Sequence, residues 1–177
     1  NFGCKDSVIK KNFVYPMPVA AFSVNDSTQC LSGNNFVFTN GSSILSGTMT
    51  YLWRFGDIKT SNLTNPKHTY NSARTFNSRL IVTSNFLCND TIAKPMHVYP
   101  MPLVTFFIND STQCIKDNNF IFTNGSTIPS GTIKSYLWNF GDNQTSTLPN
   151  ATHVYTFYNT FNVKLIATSD YACNDSL

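Results

Sequence analysis

Three His, five Cys and nine Asp are the first candidates in this chain for bases, nucleophiles or metal ligands, and there is no Glu. Asp57 and Asp142 each follow a Gly, in Phe55-Gly56-Asp57 and Phe140-Gly141-Asp142. His68 and His153 each precede a Tyr by two residues, Tyr70 and Tyr155. A hard cation wants several carboxylates around it, and neither Asp has acidic neighbours, so both read as turn residues bonding nearby N–H groups. His68 and His153 read as satisfying backbone groups at a loop rather than binding metal. His97 has no counterpart, because Phe13 stands at the matching place. There is no G-x-S-x-G, no H-E-x-x-H and no pair of carboxylates in contrasting environments. Each Cys belongs to a recurring position with no His recurring beside it, which removes the partner that thiolate catalysis needs. The expectation is a non-enzymatic chain with no catalytic residue, metal or cofactor.

The elements that position these residues come twice. Tyr15-Pro16-Met17-Pro18 returns as Tyr99-Pro100-Met101-Pro102, and Asn25-Asp26-Ser27-Thr28-Gln29-Cys30 as Asn109-Asp110-Ser111-Thr112-Gln113-Cys114. Tyr51-Leu52-Trp53 returns as Tyr136-Leu137-Trp138. The offset is 84 residues early and 85 later, so one residue is inserted between Gly131 and Tyr136. A period of this size is that of a small domain, not a solenoid turn.

Composition narrows the class. Fifteen Phe, eight Tyr and two Trp supply a core, while only 12% of residues are charged, about half the usual level. Helix formers are scarce and β-branched, aromatic and turn residues dominate. The net charge of +3 is scattered, with Lys10-Lys11 the only basic doublet, which argues against nucleic acid. No apolar run approaches the ~18 residues of a membrane span.

Alternation of period two predicts strands. Strand A covers about 19–24, with Ala20, Phe22 and Val24 on one face, and its copy carries Val104, Phe106 and Ile108. Strand B covers 36–40, with Phe36 and Phe38 together; strand C covers 50–55, with Tyr51, Trp53 and Phe55 on one face. Strand F covers 76–84, with Phe76, Leu80 and Val82 inward; its copy turns Phe161, Val163, Leu165 and Ala167 inward. Strand G covers 91–98, and Pro95 within it points to an edge. Such strands without an amphipathic helix predict an all-β, antiparallel sandwich. Trp53 and Trp138 then read as core residues rather than ligand-stacking aromatics.

The ends are out of register with the repeat. Residues 4–15 align with 88–99, so residues 1–15 read as the last strand of an upstream repeat, 16–99 as a complete repeat, and 100–177 as a repeat lacking its last strand. The chain reads as an internal piece of something longer, with donor-strand exchange as the sharper alternative.

Trp53-Arg54-Phe55-Gly56-Asp57, His68-Thr69-Tyr70 and Thr75-Phe76, with Trp138-Asn139-Phe140-Gly141-Asp142, His153-Val154-Tyr155 and Thr160-Phe161-Asn162-Val163, resemble the PKD (polycystic kidney disease) domain. That resemblance implies tandem immunoglobulin-like sandwiches of about seven strands each, with Trp53, Trp138, Tyr70 and Tyr155 in the core. The family's Gly after the Asp is Ile58 and Asn143 here, and its Gly before the Thr is Arg74 and Asn159. Ile and Arg tolerate a left-handed turn poorly, so both turns of the first repeat are expected to depart from the family geometry. The Gln-Cys ahead of strand B and the Cys-Asn-Asp after strand F are similar to PKD repeats of giant secreted Bacteroidota proteins, including SprB-type gliding-motility adhesins. That implies a cell-surface protein exported by the type IX system.

The five Cys read as disulfides of an exported chain. Pairing within repeats gives Cys30–Cys88 and Cys114–Cys173, with Cys4 belonging upstream. In the implied topology, however, the A–B and F–G turns lie at opposite ends of a domain, about 20 Å apart by strand length, which favours Cys30–Cys173 between neighbours; both pairings stay open. Asp-Ser/Thr pairs followed by Val, Thr, Ile or Leu mark Ser7, Ser27, Thr91, Ser111 and Ser176. They resemble the O-glycosylation motif of Bacteroidota exported proteins, or are ordinary Asp turns. The expected function is a structural stalk or spacer of a long extracellular adhesin or filament. Its partners are neighbouring repeats, other copies in a filament, and covalently attached glycans. One rival is a carbohydrate-binding accessory module using Phe157 and Tyr158; the other is a filament subunit assembled by strand exchange.

Overall fold

The structure, a computed structural model, describes residues 2–177. Among the described residues it holds fifteen strands and no helix. The first repeat carries β1 (Phe22–Val24), β2 (Thr28–Cys30), β3 (Phe36–Asn40), β4 (Met49–Arg54), β5 (Thr60–Ser61), β6 (Lys67–His68), β7 (Thr75–Ser84) and β8 (Asn89–Tyr99). The second carries β9 (Phe106–Ile108), β10 (Phe120–Asn124), β11 (Ile133–Asn139), β12 (Thr145–Ser146), β13 (Ala151–His153), β14 (Lys164–Ser169) and β15 (Asn174–Ser176). Each repeat is a β-sandwich, antiparallel except where β2 joins β8. Its sheets run β1-β3-β6 and β2-β8-β7-β4-β5 in the first repeat, β13-β10-β9 and β12-β11-β14-β15 in the second.

By contact density the chain forms two compact units that ignore the repeat boundary. One takes the chain up to Asn25 with Val37–Lys67 and Asn77–Lys94; the other takes Asp26–Phe36, His68–Phe76 and Pro95–Leu177. In the first unit Phe22 and Phe38 lie with ring centroids 5.2 and 5.4 Å from Trp53, and Phe55 lies 5.3 Å from Phe38. In the second, Phe106 and Phe122 meet Trp138 at 5.1 and 5.5 Å, within a core completed by Val104, Phe140, Leu165 and Ala167. Edge-on and tilted rings suit the aromatic quadrupole. Both Trp side chains are fully buried. Each spends its one N–H on a backbone oxygen, Trp53 Nε1 to Leu63 O and Trp138 Nε1 to Leu148 O, both at 2.9 Å.

The extra residue of the second repeat is absorbed where β11 meets β14. Ile133 pairs with Ser169 and Ser135 with Thr168, so Lys134 is bulged out and Tyr136 to Asn139 stay in step with Ala167 to Lys164. A bulge takes up one residue without turning the inward face outward, so Trp138 keeps the place of Trp53.

Two expectations need correction. Pro95 does not mark β8 as an edge strand, because β8 lies between β2 and β7. Thr28, Gln29 and Cys30 pair in parallel with His97, Val98 and Tyr99, starting two residues beyond the proline, so its missing N–H is not needed by that ladder. Nor does Ile58 avoid the left-handed turn: its φ is +72°, beside +70° at Asn143. The turn geometry is imposed by its surroundings. Gly56 before it has φ +88°, and a Cβ there would stand 3.0 Å from the Asn77 backbone nitrogen. Arg74 and Asn159 have no positive φ.

Residues 2–15, read as part of the last strand of an upstream repeat, form no strand here, and their side chains are exposed. Tyr15 stacks on Phe86 at 4.2 Å. At the other end β15 pairs with Ile166–Thr168 of β14 over three residues.

Candidate functional site

The residues with chemical potential converge at one corner of the second repeat. β11 leads into Phe140-Gly141-Asp142, and β13 delivers His153 two residues before Tyr155. Asp142 Oδ2 lies 2.8 Å from His153 Nε2, and Asp142 Oδ1 accepts the Gln144 N–H at 3.1 Å. The two side chains are only 5% and 7% exposed. The His153 ring lies flat on Phe140 at 4.2 Å and meets Tyr155 edge-on at 4.5 Å. The Tyr155 hydroxyl donates to Phe140 O at 2.7 Å.

Burial pushes the Asp142 carboxyl up, but bonds from His153 and Gln144 and the His153 charge outweigh it, and the carboxyl sits below its ordinary value. Burial, then the Asp142 charge, push the Tyr155 hydroxyl up to about 12. A general base needs its acceptor open to a substrate proton, whereas this carboxylate is already occupied on both oxygens. The corner therefore ties the turn after β11 to β13. In the first repeat His68 is buried and meets Tyr70 edge-on at 4.6 Å. Among the described residues no three His, Cys or Asp side chains gather as a metal site, and no buried side-chain nitrogen or oxygen lacks a partner.

A buried Asn clip beside this corner was not read from the sequence. Asn34 Nδ2 donates to Leu31 O and Tyr70 O, and its Oδ1 accepts the Tyr70 N–H at 2.7 Å. Asn118 repeats all three bonds with Ile115 and Tyr155. Both stand in Asn-Asn-Phe ahead of strand B. That repeated triplet was the available signal, masked by the abundance of Asn elsewhere. Ser78 is another miss: it lies fully buried on the inward face of β7 between Phe76 and Leu80.

The cysteines form a second constellation, inside the second compact unit. Cys30 and Cys173 are bonded, with Cα atoms 5.6 Å apart, across 143 residues of sequence. Beside the bond Tyr99 stacks on Tyr171 at 3.9 Å, and the Leu31 N–H donates to Tyr99 O at 2.8 Å. Cys4, Cys88 and Cys114 are thiols. The Asp-Ser/Thr sites all lie exposed. At three of them the Asp carboxylate accepts the next N–H, from Ser7, Thr91 and Ser176; at the other two, Asp26 and Asp110 accept from Thr28 and Thr112.

A 43-residue stretch is 49% identical to collagenase ColA of Bacillus cereus, covering 24% of this chain and 4% of that one. The chain thus spans a small fraction of the curated relative it matches. The PKD1 domain of Vibrio cholerae metalloprotease PrtV is 28% identical over 48% of this chain and 98% of its own, with a TM-score of 0.41. The PKD1 domain of Vibrio anguillarum Epp is 25% identical over 46% and 93%, also at 0.41. The family profile of the PKD domain matches residues 16–99 and again 99–176, nearly the whole sequence, and the chain belongs to that family.

Proposed function

We propose that this chain is a spacer: two PKD repeats of a long extracellular adhesin or filament, with gliding motility as a candidate setting, that set reach and stiffness and carry out no catalysis. The observation that carries the reading is the covalent bond between Cys30 of one repeat and Cys173 of the next, at the junction that Tyr99-Pro100-Met101-Pro102 spans. A bond there limits hinging that the linker alone would allow, since Pro restricts itself and the residue before it but leaves torsions beyond. The occupied state of Asp142 and His153 supports the same reading, because the groups best suited to chemistry are spent on the fold. Disulfides belong to oxidising compartments, which favours export. Sugars on Ser27 and Ser111 would flank the Cys-bearing turns and shield backbone there.

Single-molecule pulling tests the spacer. With the bond intact, the segment between the cysteines, a sequence separation of 143, should be missing from the unfolding length. Reduction, or Cys30→Ser, should release it and lower stability by about 2–4 kcal/mol. An extension that ignores reductant refutes the staple. The accessory-module reading rests on Phe157 and Tyr158, which are both exposed on the second repeat. Glycan binding that Tyr158→Ala abolishes would replace the spacer with it.

A further inference from the structure

We infer that the outer sheet face of the first repeat, around Arg54 and Arg79, is a docking site for an acidic polysaccharide whose uronate carboxylates seat on the two guanidinium groups. Strand pairing builds the site from cations that are scattered in sequence. Arg54 of β4 stands directly opposite Arg79 of β7, and on its other side Arg54 pairs with Thr60 of β5. Trp53 and Leu80 turn inward and are fully buried, so their neighbours Arg54 and Arg79 both point outward, and both are exposed. Lys59, in the turn between β4 and β5, joins Arg54 along a groove of about 510 Å³ that Leu52, Ile58 and Thr60 also line. The turn is fixed to the strand, because the Phe55 N–H donates to Lys59 O at 3.2 Å.

Like charges directly opposite across two strands repel, and nothing in the chain offsets this pair. No acid lines the groove. Asp57, the carboxylate of the same turn, accepts the Lys59 backbone N–H. Among the described residues neither guanidinium, nor the Lys59 ammonium, bonds to a carboxylate. The fold does not need these cations. In the second repeat Asn139, Gln144 and Lys164 stand at the places of Arg54, Lys59 and Arg79, with Asn139 opposite Lys164, while Trp138, Phe140, Gly141 and Asp142 repeat Trp53, Phe55, Gly56 and Asp57. Each guanidinium presents a planar fork that pairs bidentately with a carboxylate, so a bound carboxylate turns the repulsion of the pair into attraction.

The surroundings select a sugar acid. Leu52 and Ile81 stand opposite each other on the same face, two residues along from the Arg pair and about 7 Å from it. A uronate bears its carboxyl directly on the ring, so a carboxylate held by Arg54 and Arg79 lays the ring's C–H face over these two side chains. Two residues farther, Thr50 pairs with Thr83, and with Asn62 and Thr64 they line a second groove, of about 550 Å³, that meets the first at Leu52. Hydroxyls and an amide there suit the hydroxyls of the next sugar units. A peptide adding to the sheet needs an open strand edge, and β5, the edge strand here, is two residues long. A single-stranded nucleic acid needs aromatic faces for its bases, and the groove beside Arg54 is lined by none. The inference is independent of the spacer reading, since a repeat sets reach whether or not a polysaccharide lies on it.

The test titrates oligogalacturonate into the oxidised protein by calorimetry at low salt. Binding should be measurable, and raising NaCl from roughly 0.05 to 0.5 M should weaken it about ten-fold. The double variant Arg54→Asn with Lys59→Gln installs residues that the second repeat already carries at those places. It should lose roughly ten-fold or more in affinity without lowering the thermal midpoint. No binding by the parent protein, or undiminished affinity in the double variant, overturns the inference. So does equal binding of neutral dextran, and so does tighter binding of dextran sulfate or of oligothymidylate. Loss of binding on Tyr158→Ala, with the double variant still binding, moves the sugar to the second repeat and overturns it too.

Discussion

Ile58 is the residue most clearly at odds with its own backbone, and replacing it should stabilise the protein. Its φ of +72° lies in the left-handed region, where a Cβ crowds the carbonyl oxygen and a β-branched side chain is worst placed. The side chain recovers nothing by packing, being fully exposed at 102%. Ile58→Asn removes left-handed strain of roughly 1–2 kcal/mol, and Asn143 shows that Asn takes this turn at φ +70°. The expected gain is about 1 kcal/mol, since Asn relieves the strain only in part. Ile58→Gly relieves more strain but loosens the unfolded chain by about 0.4–1 kcal/mol, so its net gain is no larger. The reciprocal Asn143→Ile should cost about what Ile58→Asn gains. Urea midpoints of the oxidised protein, at constant slope, give the differences. If Ile58→Asn is neutral or destabilising while Asn143→Ile costs nothing, the left-handed turn is not a source of strain and the reasoning fails.

Four further outcomes follow from the same geometry. Asn118→Ala strips three bonds and leaves the buried Tyr155 N–H without its acceptor, which should cost about 2–3 kcal/mol in the same urea titration; Asn118→Asp with undiminished stability would show that the clip is unimportant. Gly141→Ala forces a Cβ to 2.9 Å from Asn162 O at a φ of +84°, and should lower the thermal midpoint more than any exposed Gly→Ala change such as Gly3→Ala. The Asp142 carboxyl is held below its ordinary value of about 3.9, so its contribution is complete above that pH and is lost as pH falls through the lower folded value; Asp142→Asn should flatten this acid limb. Tyr155 runs the other way: its hydroxyl is raised to about 12, so stability that is complete below pH ~10 is lost as pH climbs toward 12, and Tyr155→Phe should remove that alkaline loss.

Much of the fold was legible in residue order because strand pattern and turn chemistry are local. Phe36 and Phe38 alternate onto one face, Trp53 stands between Tyr51 and Phe55, and β3 spans the predicted residues. Doubling of each pattern separated it from coincidence, and even the inserted residue was visible as a change of offset from 84 to 85. The chain could not announce where that residue would go, because a bulge at Lys134 is decided by which register keeps Trp138 inward against β14. The parallel pairing of β2 with β8 was equally hidden: Thr28-Gln29-Cys30 has no alternation, and it becomes a strand only where Tyr99 and Val98 arrive beside it. Ile58 shows tertiary structure overruling local preference, because the closeness of Gly56 to Asn77 leaves the next residues one way to turn. The Asn34 and Asn118 clips, and the burial that spends Asp142 and His153 on each other, join residues 36 or 37 and 11 positions apart. Sequence by itself determined which residues repeat and which faces are apolar. Only folding decided which polar groups lose water together, and so which side chains hold the structure instead of meeting a ligand.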